Sequence, residues 1–174
     1  ESTGLIVPIG QWVVERAARQ LASWRAQGIG PLRVAVNISA VQFRQVDLAD
    51  QIARVAAQHD VPPESLELEL TESLLMRDVE GATNQLKKLK ALGFKLVIDD
   101  FGTGYSSLSY LRRFPLDGLK IDRSFIDEVG RNPDDTAITL AILSMARSLR
   151  LSVIAEGVET REQFEFLQLH ECEQ

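Results

Sequence analysis

Five short apolar runs alternate along this chain with stretches of helical spacing, and that alternation constrains its fold more than any other feature. The runs are RVAVN (33–37), LELELTE (66–72), FKLVIDD (94–100), LDGLKID (116–122) and LSVIAEG (151–157). Each closes on residues that bind cations or move protons: Asn37, Glu69 with Glu72, Asp99 with Asp100, Lys120 with Asp122, and Glu156 with Glu159. Strand–helix alternation with chemistry at the strand C-termini is the pattern of a parallel α/β barrel, whose loops at that face form the active site.

The intervening segments predict helices. Gln11 to Gln27 carries Ile9, Trp12, Val13, Arg16, Ala17, Leu21 and Trp24 at one-face spacing, with Gly28 to stop it. Asp47 to Asp60 reads as a second helix, ended by Val61-Pro62-Pro63 because proline cannot continue it. A strand over 66–71 precedes a helix over 79–92 that closes at Gly93. A strand over 94–99 then leads into the turn Phe101-Gly102-Thr103-Gly104, followed by a short helix (Ser107–Arg113) and a strand over 117–121. Asn132-Pro133-Asp134-Asp135 is a capped start for a helix over 134–149, its acids favoured by the helix dipole. A strand over 151–156 and a helix over 160–170 finish the chain. A closed barrel needs eight strands and roughly 250 residues. The expectation is a modified TIM (β/α) barrel, truncated to about five strand–helix units and incomplete at both ends.

At 174 residues, 45% hydrophobic and 25% charged, the chain has the make-up of one soluble globular domain. A net charge of −6 argues against binding a nucleic-acid polymer, which wants clustered Lys and Arg. It suits a site that recruits divalent cations. No apolar run approaches the roughly 18 to 20 residues that span a bilayer, so no membrane segment is expected in this chain, although a parent protein can be anchored elsewhere. A cytoplasmic setting is expected. The single Cys172 excludes an intramolecular disulfide and a cysteine metal cluster, and reads as a small buried side chain. Asp100-Phe101-Gly102 spells a kinase metal-binding triplet without the accompanying glycine loop or HRD segment, and Gly102-Thr103-Gly104 lacks the GK[ST] of a P-loop. His59 and His170 have no ligand-like neighbours and read as ordinary helical residues.

The chemistry centres on Asp99-Asp100. Neighbours on a strand face opposite ways, but at a strand end the chain turns, and the two carboxylates can converge on cations. Hard ions such as Mg²⁺ or Mn²⁺ prefer oxygen ligands, and a two-metal clamp stabilises both attacking and leaving oxygens in phosphoester hydrolysis. Strand-end acids also serve simply to cap the next helix. Glu69 is the better metal ligand of its pair, whereas Glu72, three residues on, suits a hydrogen bond to a neighbouring loop. Lys120 suits a phosphate or hydroxide oxygen, with Asp122 as its partner, or else a structural ion pair. Glu156 suits a general base or a second-metal ligand, or a helix cap.

Together NIS (37–39), ELTES (69–73), DDFGTGYSSL (99–108), LKIDRSF (119–125) and AEGVET (155–160) resemble the EAL-domain family of bacterial cyclic di-GMP phosphodiesterases, in order along almost the whole chain. TGLI (3–6) and the NxSxxQF string from Asn37 to Phe43 extend the match. The resemblance implies a two-metal phosphodiesterase, using Mg²⁺ or Mn²⁺, that yields linear pGpG. It implies Asn37, Glu69 and Asp99 as ligands of one metal and Asp99 with Asp100 for the second. Lys120 and Glu156 resemble the pair that orients and deprotonates the attacking water. Glu72 is similar to the residue that anchors the loop from Phe101 to Leu108, a loop tied to catalytic control and homodimerisation. Asp122 and Glu159 look like supporting or substrate-proximal positions.

The Glu-Ala-Leu segment that names the family, with its metal-binding glutamate, lies outside residues 1–174, as does the C-terminal QG[YF] element. The whole of 1–174 therefore reads as a single partial EAL domain. Two other readings follow from the same residues: a non-catalytic cyclic di-GMP receptor, if that glutamate is replaced, and a 174-residue piece that is inactive by itself. Members of the family often follow GGDEF, PAS or receiver domains.

Overall fold

The computed structural model describes residues 4–104 and 108–172. Its five strands all run parallel, in the sheet order β1-β2-β3-β4-β5, the sequential arrangement of a barrel-type α/β fold. They are β1 (Val34–Asn37), β2 (Leu66–Thr71), β3 (Lys95–Phe101), β4 (Gly118–Ile121) and β5 (Ser152–Ala155), and each falls within two residues of its expected run. No described helix is long and apolar enough to cross a membrane. The chain divides into two compact units, Glu1–Leu70 with Arg77–Leu96, and Thr71–Met76 with Val97–Gln174.

In the first unit, α1 (Ile6–Ala26) packs against β1, α2 (Ala40–Phe43) and α3 (Leu48–Gln58). Its buried stripe is Gly10, Val14, Ala18 and Leu21; of the predicted face Leu21 is buried, whereas Ile9 and Trp12 are not. Ile9 is 51% exposed and Trp12 62%, with the Arg16 guanidinium 5.8 Å from the Trp12 ring. Close approach decides the face. A Cβ on Gly10 would lie 1.8 Å from Gln42 Nε2, so a larger residue at Gly10 would displace the Gln42 side chain where α1 meets α2. A capping box between Ser39 and Gln42 begins α2, a turn that apolar periodicity did not signal. The helix predicted over 47–60 is α3, and Pro63–Ser65 forms a 3₁₀ turn before β2.

In β2, Leu66, Leu68 and Leu70 are fully buried, and Glu67 and Glu69 between them are nearly so. Both faces are covered, as parallel strands require. Each buried leucine contributes about 1.5–3 kcal/mol. α5 (Val79–Ala91) is capped by Asp78 and ends at Gly93, at φ +96°.

In the second unit, α4 (Glu72–Arg77) begins directly after β2 with no turn residue to announce it. α6 (Leu108–Leu111) falls inside the predicted 107–113 helix, whose first residue, Ser107, lies outside the described residues. α7 (Arg123–Ile126) was not expected. α8 (Pro133–Leu149) starts at the predicted cap, with Asn132 accepting from Asp134 N at 2.9 Å, and packs on β4, β5 and α7. α9 (Arg161–Leu169) closes the fold. Cys172 is half-buried rather than buried, its Sγ 3.8 Å from Val153 O.

Candidate metal centre

The two adjacent aspartates converge by a different route from the expected strand end. β3 does not stop at Asp99 but continues through Asp100 to Phe101. Its register against β4 runs Val97 to Gly118 and Ile98 to Leu119, then resumes with Phe101 opposite Ile121. One extra residue is thus inserted, a β-bulge, and Asp100 takes it up at φ +53°. A left-handed non-glycine residue costs about 1–2 kcal/mol, least for Asp and Asn, so the sequence places a tolerant residue there. The bulge cancels the alternation that would have parted the two carboxylates. Asp99, Asp100 and Glu156 each offer an oxygen, and these atoms lie within 4.8 Å of one another.

β4 and β5 supply the rest. Lys120 Nζ stands 3.0 Å from Asp99 Oδ1 and 2.6 Å from Glu156 Oε1, and little of Lys120 or Asp99 meets solvent. Lys120 and Ile154 are register partners, and Glu156 N donates to Ile121 O at 3.2 Å, which brings Glu156 over the end of β4. Burial, then the charges of Asp99, Asp122 and Glu156, push the Asp100 carboxyl above its usual range, and Lys120 opposes them. Three crowded carboxylates with one ammonium form a hard, anionic, all-oxygen donor set. That set fits a divalent cation such as Mg²⁺, Mn²⁺ or Ca²⁺.

Asn37 and Glu69 are register partners at the C-terminal ends of β1 and β2, with Glu69 only 5% exposed. Asp122 caps α7, accepting from Ser124 N at 2.9 Å and from the Ser124 hydroxyl, whereas Lys120 is paired with Asp99 and Glu156. Glu159 meets Arg123 Nη2 at 2.8 Å on the surface. Glu72 is 2% exposed, and its Oε2 accepts from Gly102 N at 3.0 Å. Its Oε1 is buried without a hydrogen-bond partner among the described residues. A Cβ on Gly104 would sit 2.7 Å from that oxygen, so a larger residue there would push the Glu72 carboxylate aside. Of the Phe101–Leu108 loop, residues 105–107 lie outside the described residues.

Two residues outside the expected set touch the Glu156 segment. Arg123 bridges Glu159 and Asp127, and Gln163 hydrogen-bonds to Glu159 N and Thr160 N. Thr160-x-x-Gln163 is a capping-box string, legible in the sequence, whereas nothing in the sequence announced Arg123.

The chain matches the EAL domain family model over residues 1–174. It is 48% identical over 167 residues to the bifunctional diguanylate cyclase/cyclic di-GMP phosphodiesterase MucR of Pseudomonas aeruginosa, covering 96% of this chain and 24% of that protein. A solved structure of the PaMucR phosphodiesterase in complex with c-di-GMP superposes with a TM-score of 0.95 at 48% identity, covering 99% of this chain and 70% of that one. The manganese/cyclic di-GMP complex of Klebsiella pneumoniae BlrP1 superposes with a TM-score of 0.80 at 28% identity, covering 93% and 42%. The chain spans about a quarter of the length of the curated relatives it matches.

Proposed function

This chain belongs to the EAL domain family, and from that premise we propose that it hydrolyses cyclic di-GMP to linear pGpG at the cluster of Asp99, Asp100, Lys120 and Glu156. The observation that carries the reading is the bulge-built convergence of Asp99 and Asp100 with Glu156, bridged by Lys120. On this reading Asn37, Glu69 and Asp99 would hold one divalent ion, Mg²⁺ or Mn²⁺, and Asp99 with Asp100 would hold a second. Ions bound there stabilise the charge that builds on the phosphoryl oxygens.

The chain's own groups do the rest. Lys120, already fixed between two carboxylates, sets the position of Glu156 Oε1 and remains a cation against which a phosphate oxygen can rest. Glu156, a third exposed at its side chain, is open enough to meet a water and take its proton as the water oxygen attacks phosphorus. The phosphorus–oxygen bond to one 3′ oxygen breaks, that oxygen takes up a proton, and the ring opens to pGpG. Glu72 holds the Gly102 backbone and so steadies the turn that follows the two aspartates. The same turn opens the Phe101–Leu108 loop, through which we propose that the protein forms a homodimer. GGDEF, PAS or receiver domains in a longer chain would act on the centre through that loop.

Product analysis tests the reading. The full-length protein incubated with cyclic di-GMP and Mn²⁺ or Mg²⁺ is expected to release pGpG. Calorimetric binding of cyclic di-GMP with no product would overturn the enzymatic reading and leave a receptor.

A further inference from the structure

The segment after β5 carries Glu156 and Glu159, yet residues 156–160 belong to no helix or strand. The position of Glu156 therefore depends on what holds that segment. Among the described residues, backbone bonding to the sheet holds its first residue, through Glu156 N and Ile121 O.

Two side chains hold the remainder, both against α7, which follows the Lys120 strand directly. Gln163 is 6% exposed. Its Oε1 accepts from Glu159 N at 2.8 Å and Thr160 N at 2.9 Å. Its Nε2 donates to Ile126 O and Asp127 O, each at 3.1 Å. Both amide hydrogens and both oxygen lone pairs are thereby used. A capping box accounts for the Thr160 bond alone. The bonds to Glu159 and to two carbonyls across 36 and 37 residues have no part in starting α9. Arg123 makes the outer tie: Nε reaches Asp127 Oδ1 at 3.1 Å and Nη2 reaches Glu159 Oε1 at 2.8 Å. Its stem lies on Gly157, where a Cβ would come within 2.4 Å of Arg123 Cγ, and Gly157 sits at φ +73°.

We propose that Gln163 and Arg123 are positioning residues, a two-point clamp that fixes the Glu156–Thr160 segment on α7 and so aims Glu156 at Lys120. This inference rests on the hydrolytic reading of the site. A base displaced by about 1 Å can lose up to a hundredfold in rate while substrate contacts elsewhere persist, so the clamp acts on kcat rather than KM.

The test compares Gln163→Leu, Arg123→Ala and Arg123→Lys with wild type in the full-length protein. It records kcat and KM per folded molecule, with hydrogen exchange at the Glu159 and Thr160 amides. Gln163→Leu and Arg123→Ala are expected to lower kcat about tenfold or more, with KM within about twofold. Arg123→Lys should recover part of the loss, and Gln163→Leu should speed exchange at both amides at least tenfold. Folded variants with wild-type kcat, or unchanged exchange in Gln163→Leu, would overturn the clamp. If Gln163→Leu does not fold, the two Arg123 variants decide. A wild type that binds cyclic di-GMP without turnover defeats the hydrolytic reading instead, and the exchange data then decide whether the clamp exists.

Discussion

Asp100 concentrates the tension of the site. It adopts a left-handed backbone at the bulge, and its carboxyl is pushed up by burial and by the charges of Asp99, Asp122 and Glu156. A carboxyl whose folded pKa lies above its unfolded value costs the metal-free protein stability. That cost is absent below the unfolded pKa, grows as pH rises through the folded pKa, and is complete above it. Asp100→Asn removes it. The metal-free variant should therefore melt above wild type at neutral pH, with the difference vanishing toward pH 3, as thermal unfolding in a chelator across pH would show. An equal or lower Tm at neutral pH contradicts this origin. The residue types were legible in the sequence, because acids closing apolar runs stand out. The partner of Lys120 was not, since Asp122 follows it closely in sequence yet is taken up in capping α7, while Asp99 and Glu156 reach Lys120 from neighbouring strands.

Among the elements, β3 and the turn after it matter most. The apolar run in FKLVIDD predicted the strand, but a bulge leaves no apolar signature, so the route by which Asp99 and Asp100 converge was hidden. α4 and α7 escaped notice for a related reason: four to six residues are too few to show a helical period. On α1 the periodicity was real and Leu21 lies on the buried face, but the phase of its first turns was misread, because Gly10, which carries no hydrophobic signal, turns inward against Gln42. Gly102 shows how tightly the turn after β3 is fitted. It sits at φ +102°, an added Cβ would lie 2.8 Å from Phe125 Cε2, and its N–H is the one that Glu72 accepts. Gly102→Ala is expected to destabilise the fold by about 1–3 kcal/mol and to lower turnover in the molecules that remain folded. Denaturant titration with a parallel rate assay checks both, and unchanged stability would show the turn to be slack.

Across the molecule, the five strand–helix units and the parallel α/β class were readable from the alternation, and the family from its motifs. Cations should matter to the chain as a whole, since an acidic protein with crowded carboxylates gains stability from any ion that binds only its folded form. An ion present at about a hundred times its Kd adds about 2.7 kcal/mol. That corresponds to a rise of roughly 5–10 °C in Tm for a domain of this size. Thermal melts with Mn²⁺ and with EDTA measure it, and coincident melts would remove the cation from the folded state. The central claim is that Asp99 serves bound metal and the reaction rather than the core, and cyclic di-GMP turnover by Asp99→Asn beside wild type in Mn²⁺ tests it most directly. The variant is expected to lose at least about a hundredfold in rate with its circular dichroism spectrum retained. A variant rate within about twofold of wild type would contradict it.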